Sequence, residues 1–285
     1  VTLIEQLLQQ TSRTFALSIP LLPEPLRRQV GLAYLLFRIA DTIEDEPGWD
    51  DDQRQAALRL MMATLDDPDF STAVPEPPDD LEHDGYRLLL RHGAEVVAAY
   101  RALRPEAREV IRRHLGRTVD GMVRSVAAPV SPTDMQALRD YCYAVAGIVG
   151  ELCTELFVLR EPRLGPVRDE LMELAPCFGE GLQLVNILRD EPADDAAGRR
   201  FLPRTLERDA VMRQAEQDLR EAGRYVQLLE DRGASAGVVG FNRLNLSLAE
   251  QTLALMKSEG AGVKLSRERV AAMVAQASGA VVVSG

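Results

Sequence analysis

The chain reads as a succession of helix-period stretches joined by short polar or proline-bearing connections, with no convincing strand alternation anywhere. Apolar positions recurring every three to four residues predict helices at about 3–18, 25–45, 54–65, 81–103, 105–127, 133–160, 167–191, 207–232 and 238–257. Between them, residues 66–80 (DDPDFSTAVPEPPDD) are rich in proline and aspartate. They predict a long surface loop and not a domain boundary, because helical patterning resumes directly afterwards. No solenoid-length repeat is present. The pattern predicts one all-α bundle spanning 1–285.

Two of the predicted helices carry a polar stripe on an otherwise apolar surface. Gln183, Asn186, Asp190 and Asp194 fall at i, i+3, i+7 and i+11, along one helix face, among Leu182, Val185, Ile187 and Leu188. A helix apolar nearly all round is normally buried, and a buried carboxylate needs a paired charge or a metal. Pro192, between the two aspartates, predicts a kink or an end of the helix there. Earlier in the chain, Tyr34, Arg38, Asp41 and Asp45 repeat this architecture at i, i+4, i+7 and i+11, with Glu44 beside them. Each stripe alone also has a plain structural explanation. Asp190 and Asp194 would be solvated where a helix leaves the core, and Arg38 would pair with Asp41 or Asp45. Two such stripes, each ending an apolar helix, are harder to explain as coincidence.

Composition narrows the classes. Hydrophobic residues make up 46% of 285, enough for a sizeable core, and the 44 acidic against 33 basic residues give a net charge of -11. That balance excludes nucleic acid as a partner, since binding it needs a basic face. Arg112, Arg113, Arg117 and Arg124 read mainly as a solvated helix face. Cys142, Cys153 and Cys177 form no CxxC pair and read as reduced thiols of a cytosolic protein. His83, His92 and His114 lack zinc-ligand spacing and read as surface residues. No apolar run is expected to reach the length of a membrane span, and no secretory signal is seen. In the segment AVAGIVG, Gly147 and Gly150 each weaken a helix by about 1 kcal/mol, so they call for close helix packing or for room beside a bulky ligand.

If the two striped helices face each other, Asp41, Asp45, Asp190 and Asp194 line one cavity mouth, where they cannot all stay ionised without compensation. Magnesium suits this donor set, because it prefers oxygen and commonly bridges one or two carboxylates to substrate phosphates. Arg38, Arg189 and Arg199 supply cationic donors for phosphate, and Gln183 and Asn186 supply neutral ones. Below them the lining turns small and apolar. A diphosphate clamp above an apolar tunnel suits metal-assisted departure of diphosphate from an allylic isoprenoid, with the carbocation shielded from water.

In order along the chain, TSRTF, FRIADTIEDEP, YCYAVAGIVG, LQLVNILRD, GRRFLP and GVKL resemble the squalene and phytoene synthase family, from about Thr11 to Lys264. Within it, DTIED is similar to the DTLED of squalene synthases. GVKLSRERV is similar to their AVKIRKG region, whose lysine is associated with reduced nicotinamide cofactor. The resemblance implies a single-domain isoprenoid synthase bundle with a central active-site cavity. The implied reaction condenses two farnesyl diphosphates to presqualene diphosphate and reduces that with NADPH to squalene. Asp41, Asp45, Asp190 and Asp194 would then hold magnesium, or manganese in its place, and diphosphate. Arg13, Tyr34, Arg38, Gln183, Asn186, Arg189 and Arg199 would contact diphosphate groups. Tyr141, the first tyrosine of YCY, would serve in proton transfer. Val145, Ala146, Gly150 and Phe241 would line the prenyl tunnel, and Lys264 and Thr14 would bind NADPH. The chain departs from the family's usual DxxED at Ala193 and through Pro192. A dehydrosqualene or phytoene synthase, or a presqualene diphosphate synthase without the reductive step, is the alternative. A non-catalytic assembly factor of this fold is a minor one. The eukaryotic carboxy-terminal anchor is not seen, so the expected location is cytoplasmic, with peripheral contact at the inner membrane for product release.

Overall fold

The computed structural model describes residues 2–12, 14–46, 48–67, 83–127, 131–196, 198, 200–203 and 205–283. Every regular element among them is helical, as the periodicity predicts. The chain divides into two compact units, Val1–Ile19 with Glu24–Val130, and Pro20–Pro23 with Ser131–Gly285.

The first unit begins with α1 (Leu3–Thr11) and a short α2 (Phe15–Ser18). The helix expected to run through 3–18 is broken at Ser12, whose backbone turns extended and whose Oγ accepts from the Phe15 amide at 2.9 Å. Serine competes with the helix by bonding nearby backbone, which periodicity does not register. α3 (Leu26–Glu44) is the unit's central helix, with thirteen of its residues buried. It packs against α4 (Asp51–Asp66), α5 (Asp84–Arg91), α6 (Gly93–Arg101) and α7 (Pro105–Ala127). The helix expected over 81–103 is two helices meeting at His92, where the backbone leaves the helical region; residues 81–82 lie outside those described. Arg112, Arg113, Arg117 and Arg124 are exposed. His114 corrects the reading of three surface histidines. It is 1% exposed, because it falls on the buried stripe of α7 with Ala107, Val110, Ile111, Leu115 and Thr118. His83 is exposed and caps α5, accepting from the Tyr86 amide through Nδ1.

In the second unit α8 (Met135–Cys142), a π-helical turn (Tyr143–Gly147) and α9 (Ile148–Arg160) form one continuous helix. This stretch, Met135–Arg160, is long and apolar enough to cross a membrane by length and composition, which corrects the expectation that no run reaches that length. Small residues raise its hydropathy without a run of large aliphatics, and the same composition marks the core helix of a bundle. α10 (Arg168–Ala196) packs against α11 (Arg208–Asp231), α9 and α12 (Ala236–Glu259). Glu161 is buried and accepts from the Ser235 amide at 2.9 Å, so a distant carboxylate closes the amino end of α12. After Gly262 the chain forms α13 (Arg267–Val283), packed on α12.

The α9 and α10 backbones meet closely, and this accounts for Gly150. A Cβ on Gly150 would lie 2.2 Å from the Ala175 carbonyl, and one on Gly179 would lie 2.1 Å from the Ala146 carbonyl. Gly147 instead clears the ring of its own neighbour, Tyr143, which a Cβ would meet at 2.7 Å. Gly179→Ala should therefore force the two helices apart and lower unfolding stability by about 1–3 kcal/mol. Denaturant titration measures this, and an unchanged midpoint would contradict the close approach.

Candidate active site

In the first unit the stripe on α3 is assembled around one guanidinium. Tyr34, Arg38 and Asp41 are half-buried, and Asp45 is exposed at the helix end. Tyr34 donates its hydroxyl to the Thr11 carbonyl at 2.8 Å, which fixes the ring. Arg38 lies 5.7 Å from the Tyr34 ring centroid and 5.3 Å from that of Tyr86, and its Nη1 stands 3.3 Å from Asp41 Oδ2. Burial works against the Arg38 charge, and Asp41 with the two tyrosines more than offsets it, so its pKa rises further.

The carboxylates of this stripe are crowded. Burial pushes Asp41 up to about 6, with Arg38 opposing and Asp45 adding. Its side chain keeps 38% of its surface, which moderates that push. Burial, then Asp45 and Asp41, push Glu44 up to about 7, against a hydrogen bond from Ser125 and the charge of Arg54. Asp45 thus raises Asp41, and both raise Glu44, a repulsion that a hard divalent cation bound to one or two of these carboxylates would relieve. Thr14 is exposed beside this unit's α2. Arg13 lies outside the described residues.

In the second unit α10 carries Gln183, Asn186, Arg189, Asp190 and Asp194, all half-buried. Arg189 grips its neighbour Asp190 with both nitrogens of one edge, Nε to Oδ1 at 2.8 Å and Nη2 to Oδ2 at 2.5 Å. The helix continues to Ala196, past the kink or end expected at Pro192. The donor that proline lacks is replaced: Arg208 Nη2 donates to the Leu188 carbonyl at 3.1 Å. Asp194 lines a cleft of about 330 Å³ with Glu191, Asp195, Arg200, Phe201 and Arg208. Arg199 lies outside the described residues.

Tyr141 stacks on Phe201 of the FLP segment, centroids 5.3 Å apart, whereas the Tyr143 hydroxyl donates to Glu151 Oε1 at 3.0 Å. Val145 and Ala146 sit half-buried on the π-helical turn, a feature often found at functional sites. Phe241 is buried edge-on against Phe157, centroids 6.0 Å apart. Lys264 is exposed. Just before it, the Gly262 amide donates to the Arg189 carbonyl at 2.8 Å.

Among the described residues no three acidic, histidine or cysteine side chains gather closely enough to hold a metal ion by themselves. That is compatible with magnesium, which commonly takes one or two carboxylates and completes its shell with water and phosphate.

Sequence reasoning missed Tyr86, Phe201 and Arg208, and the pair formed by half-buried Arg139 and buried Glu180. Phe201 stands in the GRRFLP motif without a role of its own, and beyond the scarcity of aromatics, 5% of the chain, nothing marked Tyr86. Arg139 donates from Nε and Nη2 to Glu180 Oε2 at 3.2 and 3.1 Å, tying the helix of Tyr141 to α10 one turn before Gln183. Asp218 of α11 lies in the same network, 2% exposed, and accepts from Gln214 on Oδ1. Burial raises the Asp218 pKa, with Gln214 and Arg139 opposing and Glu221 adding. The folded state thus holds this proton more tightly than the unfolded one. The resulting stabilisation is full below the ordinary aspartate value of 3.8 and is lost as pH rises through the higher folded value. Asp218→Asn should consequently gain stability relative to the parent as pH rises from about 4 to about 8. Thermal melts across that range test it, and a gap that stays constant with pH would contradict it.

The squalene/phytoene synthase family profile matches residues 8–214. A probable squalene synthase of Neurospora crassa is 33% identical over 204 residues, covering 70% of this chain and 41% of that protein. The solved complex of TcSQS with the ligand E5700 aligns with a TM-score of 0.82 and 25% identity, over 96% of this chain and 85% of that one. A dehydrosqualene synthase solved with a ligand aligns with a TM-score of 0.64 and 20% identity, over 98% of this chain and 95% of that one, a likeness of fold. The chain spans less than half the length of the curated relatives it matches. It belongs to the squalene/phytoene synthase family, and its all-α fold is that of the isoprenoid synthases.

Proposed function

We propose that this protein is a prenyltransferase that joins two farnesyl diphosphates head to head into presqualene diphosphate and reduces that intermediate with NADPH to squalene. One observation carries the reading: both acidic stripes lie, with all four aspartates present, inside the span matched by the family. In this reading Asp41 and Asp45 of the first unit, and Asp190 and Asp194 of the second, hold magnesium or manganese against diphosphate. When bound, the metal would stabilise the negative charge of the departing diphosphate.

The side chains around these aspartates have separate tasks. Arg38 is held by Tyr34, Tyr86 and Asp41, so it presents its charge to phosphate without first being ordered. Arg189, Gln183 and Asn186 add donors along α10, and Arg13 and Arg199 are assigned to diphosphate with them. Tyr141, stacked flat on Phe201, is the proposed proton-transfer group. Val145, Ala146, Gly150 and Phe241 are assigned to the prenyl chain, which they would shield from water. Lys264 and Thr14 are assigned to NADPH. The same proposal treats the two units as one catalytic domain, acting in the cytoplasm with product passing to the membrane.

The test is incubation with farnesyl diphosphate and magnesium, with and without NADPH, followed by mass spectrometry of the products. Squalene should form only with NADPH, and presqualene diphosphate should accumulate without it. Asp41→Ala or Asp190→Ala should remove condensation by several orders of magnitude with the helical fold retained. Lys264→Ala should spare presqualene diphosphate and weaken the use of NADPH. A thirty-carbon hydrocarbon made regardless of NADPH would move the protein to the dehydrosqualene branch. Absence of any condensation would overturn the reading.

A further inference from the structure

Pro192 stands between Asp190 and Asp194, four residues after Leu188. A proline at this position has no N–H to give the Leu188 carbonyl, and its ring crowds that carbonyl. A helix so interrupted usually kinks or stops, yet α10 runs on to Ala196. The compensation comes from the first residue of α11. Arg208 donates from Nη2 to the Leu188 carbonyl at 3.1 Å and from Nε to Glu191 Oε2, also at 3.1 Å. One rigid, planar cation thus grips the turn on both sides of Arg189 and Asp190. Met212 Sδ, 3.4 Å from Nη1, and Met256 Sδ, 3.9 Å from Nη2, close around the same guanidinium.

Asp190 and Asp194 share a helix face only while this turn stays helical. We propose that Arg208 is the positioning residue of the second acidic stripe, supplying the hydrogen bond that Pro192 cannot make and so keeping Asp194 in register with Asp190. The geometry stands on its own; the consequence for magnesium rests on the proposed function. The Pro192–Arg208 pair explains how this chain tolerates a proline inside an acidic motif. It also makes a specific demand: the need for Arg208 should vanish once position 192 has an amide again.

The experiment is a double-mutant cycle of Arg208→Met and Pro192→Ala on the full chain, with Arg208→Lys as the conservative variant. Two readouts are taken: hydrogen exchange of the peptide covering 190–196, and the magnesium concentration giving half-saturation by calorimetry in the presence of inorganic diphosphate. Arg208→Met alone should speed exchange in that peptide by about tenfold, a local opening that global stability does not report. It should also raise the half-saturating magnesium concentration. In the Pro192→Ala background the same substitution should do little of either. Arg208→Lys, which keeps one donor for the Leu188 carbonyl, should fall between. Should Arg208→Met fold poorly, the lysine variant and the double mutant still carry the comparison. Equal effects of Arg208→Met in both backgrounds, or none in either, would overturn the proposal. A parent protein that binds no magnesium would remove the metal reading of the stripe, while the exchange cycle would still decide the role of Arg208.

Discussion

A carboxylate on a helix that is apolar on every other side must find a compensating charge. That constraint shapes the surroundings of both acidic stripes. In α3 the compensation is Arg38, itself seated between Tyr34 and Tyr86. In α10 it is Arg189, which takes both oxygens of Asp190. The first compensation is partial. Asp41 and Glu44 remain pushed up to about 6 and about 7, chiefly by burial and then, for Glu44, by the neighbouring acids. Arg38 beside Asp41 and Arg54 near Glu44 oppose these shifts without cancelling them, and a divalent cation with its own phosphate partner would oppose them further.

Holding these side chains in place is a matter of backbone as much as of charge. α9 and α10 come close enough that carbonyls occupy the space of two absent Cβ atoms, at Gly150 and Gly179. The π-helical turn of Tyr143–Gly147 lies at this contact, which places Val145 and Ala146 on a widened stretch of helix. Along the same α10, the Arg139–Glu180 pair fixes α8 one turn before the polar stripe begins. At the far end of the stripe, Arg208 and the Gly262 amide take successive carbonyls, those of Leu188 and Arg189. The polar face of α10 is therefore braced at both ends by side chains from other helices or by the tail. This arrangement suits a surface that must not reorganise when charge appears on it.

Much of this was legible in the sequence because helices and stripes obey one period. The 3.6-residue repeat located the main helices, and the same repeat placed Tyr34, Arg38 and Asp41 on one face before any contact was known. What it could not supply were contacts between distant residues. Nothing local says that Tyr86 closes over Arg38, or that Arg208 reaches Leu188 across twenty residues. Of the kink or end expected at Pro192 the end does not occur, and the donor that bridges the gap is remote in sequence. His114 was misjudged because its neighbours in sequence are arginines, while its neighbours at helical spacing are buried. The break at Ser12 was hidden because a side chain bonding its own backbone leaves no periodic trace.

In the proposed function both stripes serve diphosphate through a divalent cation. Calorimetric titration with inorganic diphosphate, with and without magnesium, tests this most directly, because it needs neither prenyl chain nor reductant. Binding should appear only with magnesium, and should be weakened strongly by Asp41→Asn and by Asp190→Asn. Diphosphate that binds equally well without the metal, and is indifferent to both substitutions, would contradict it.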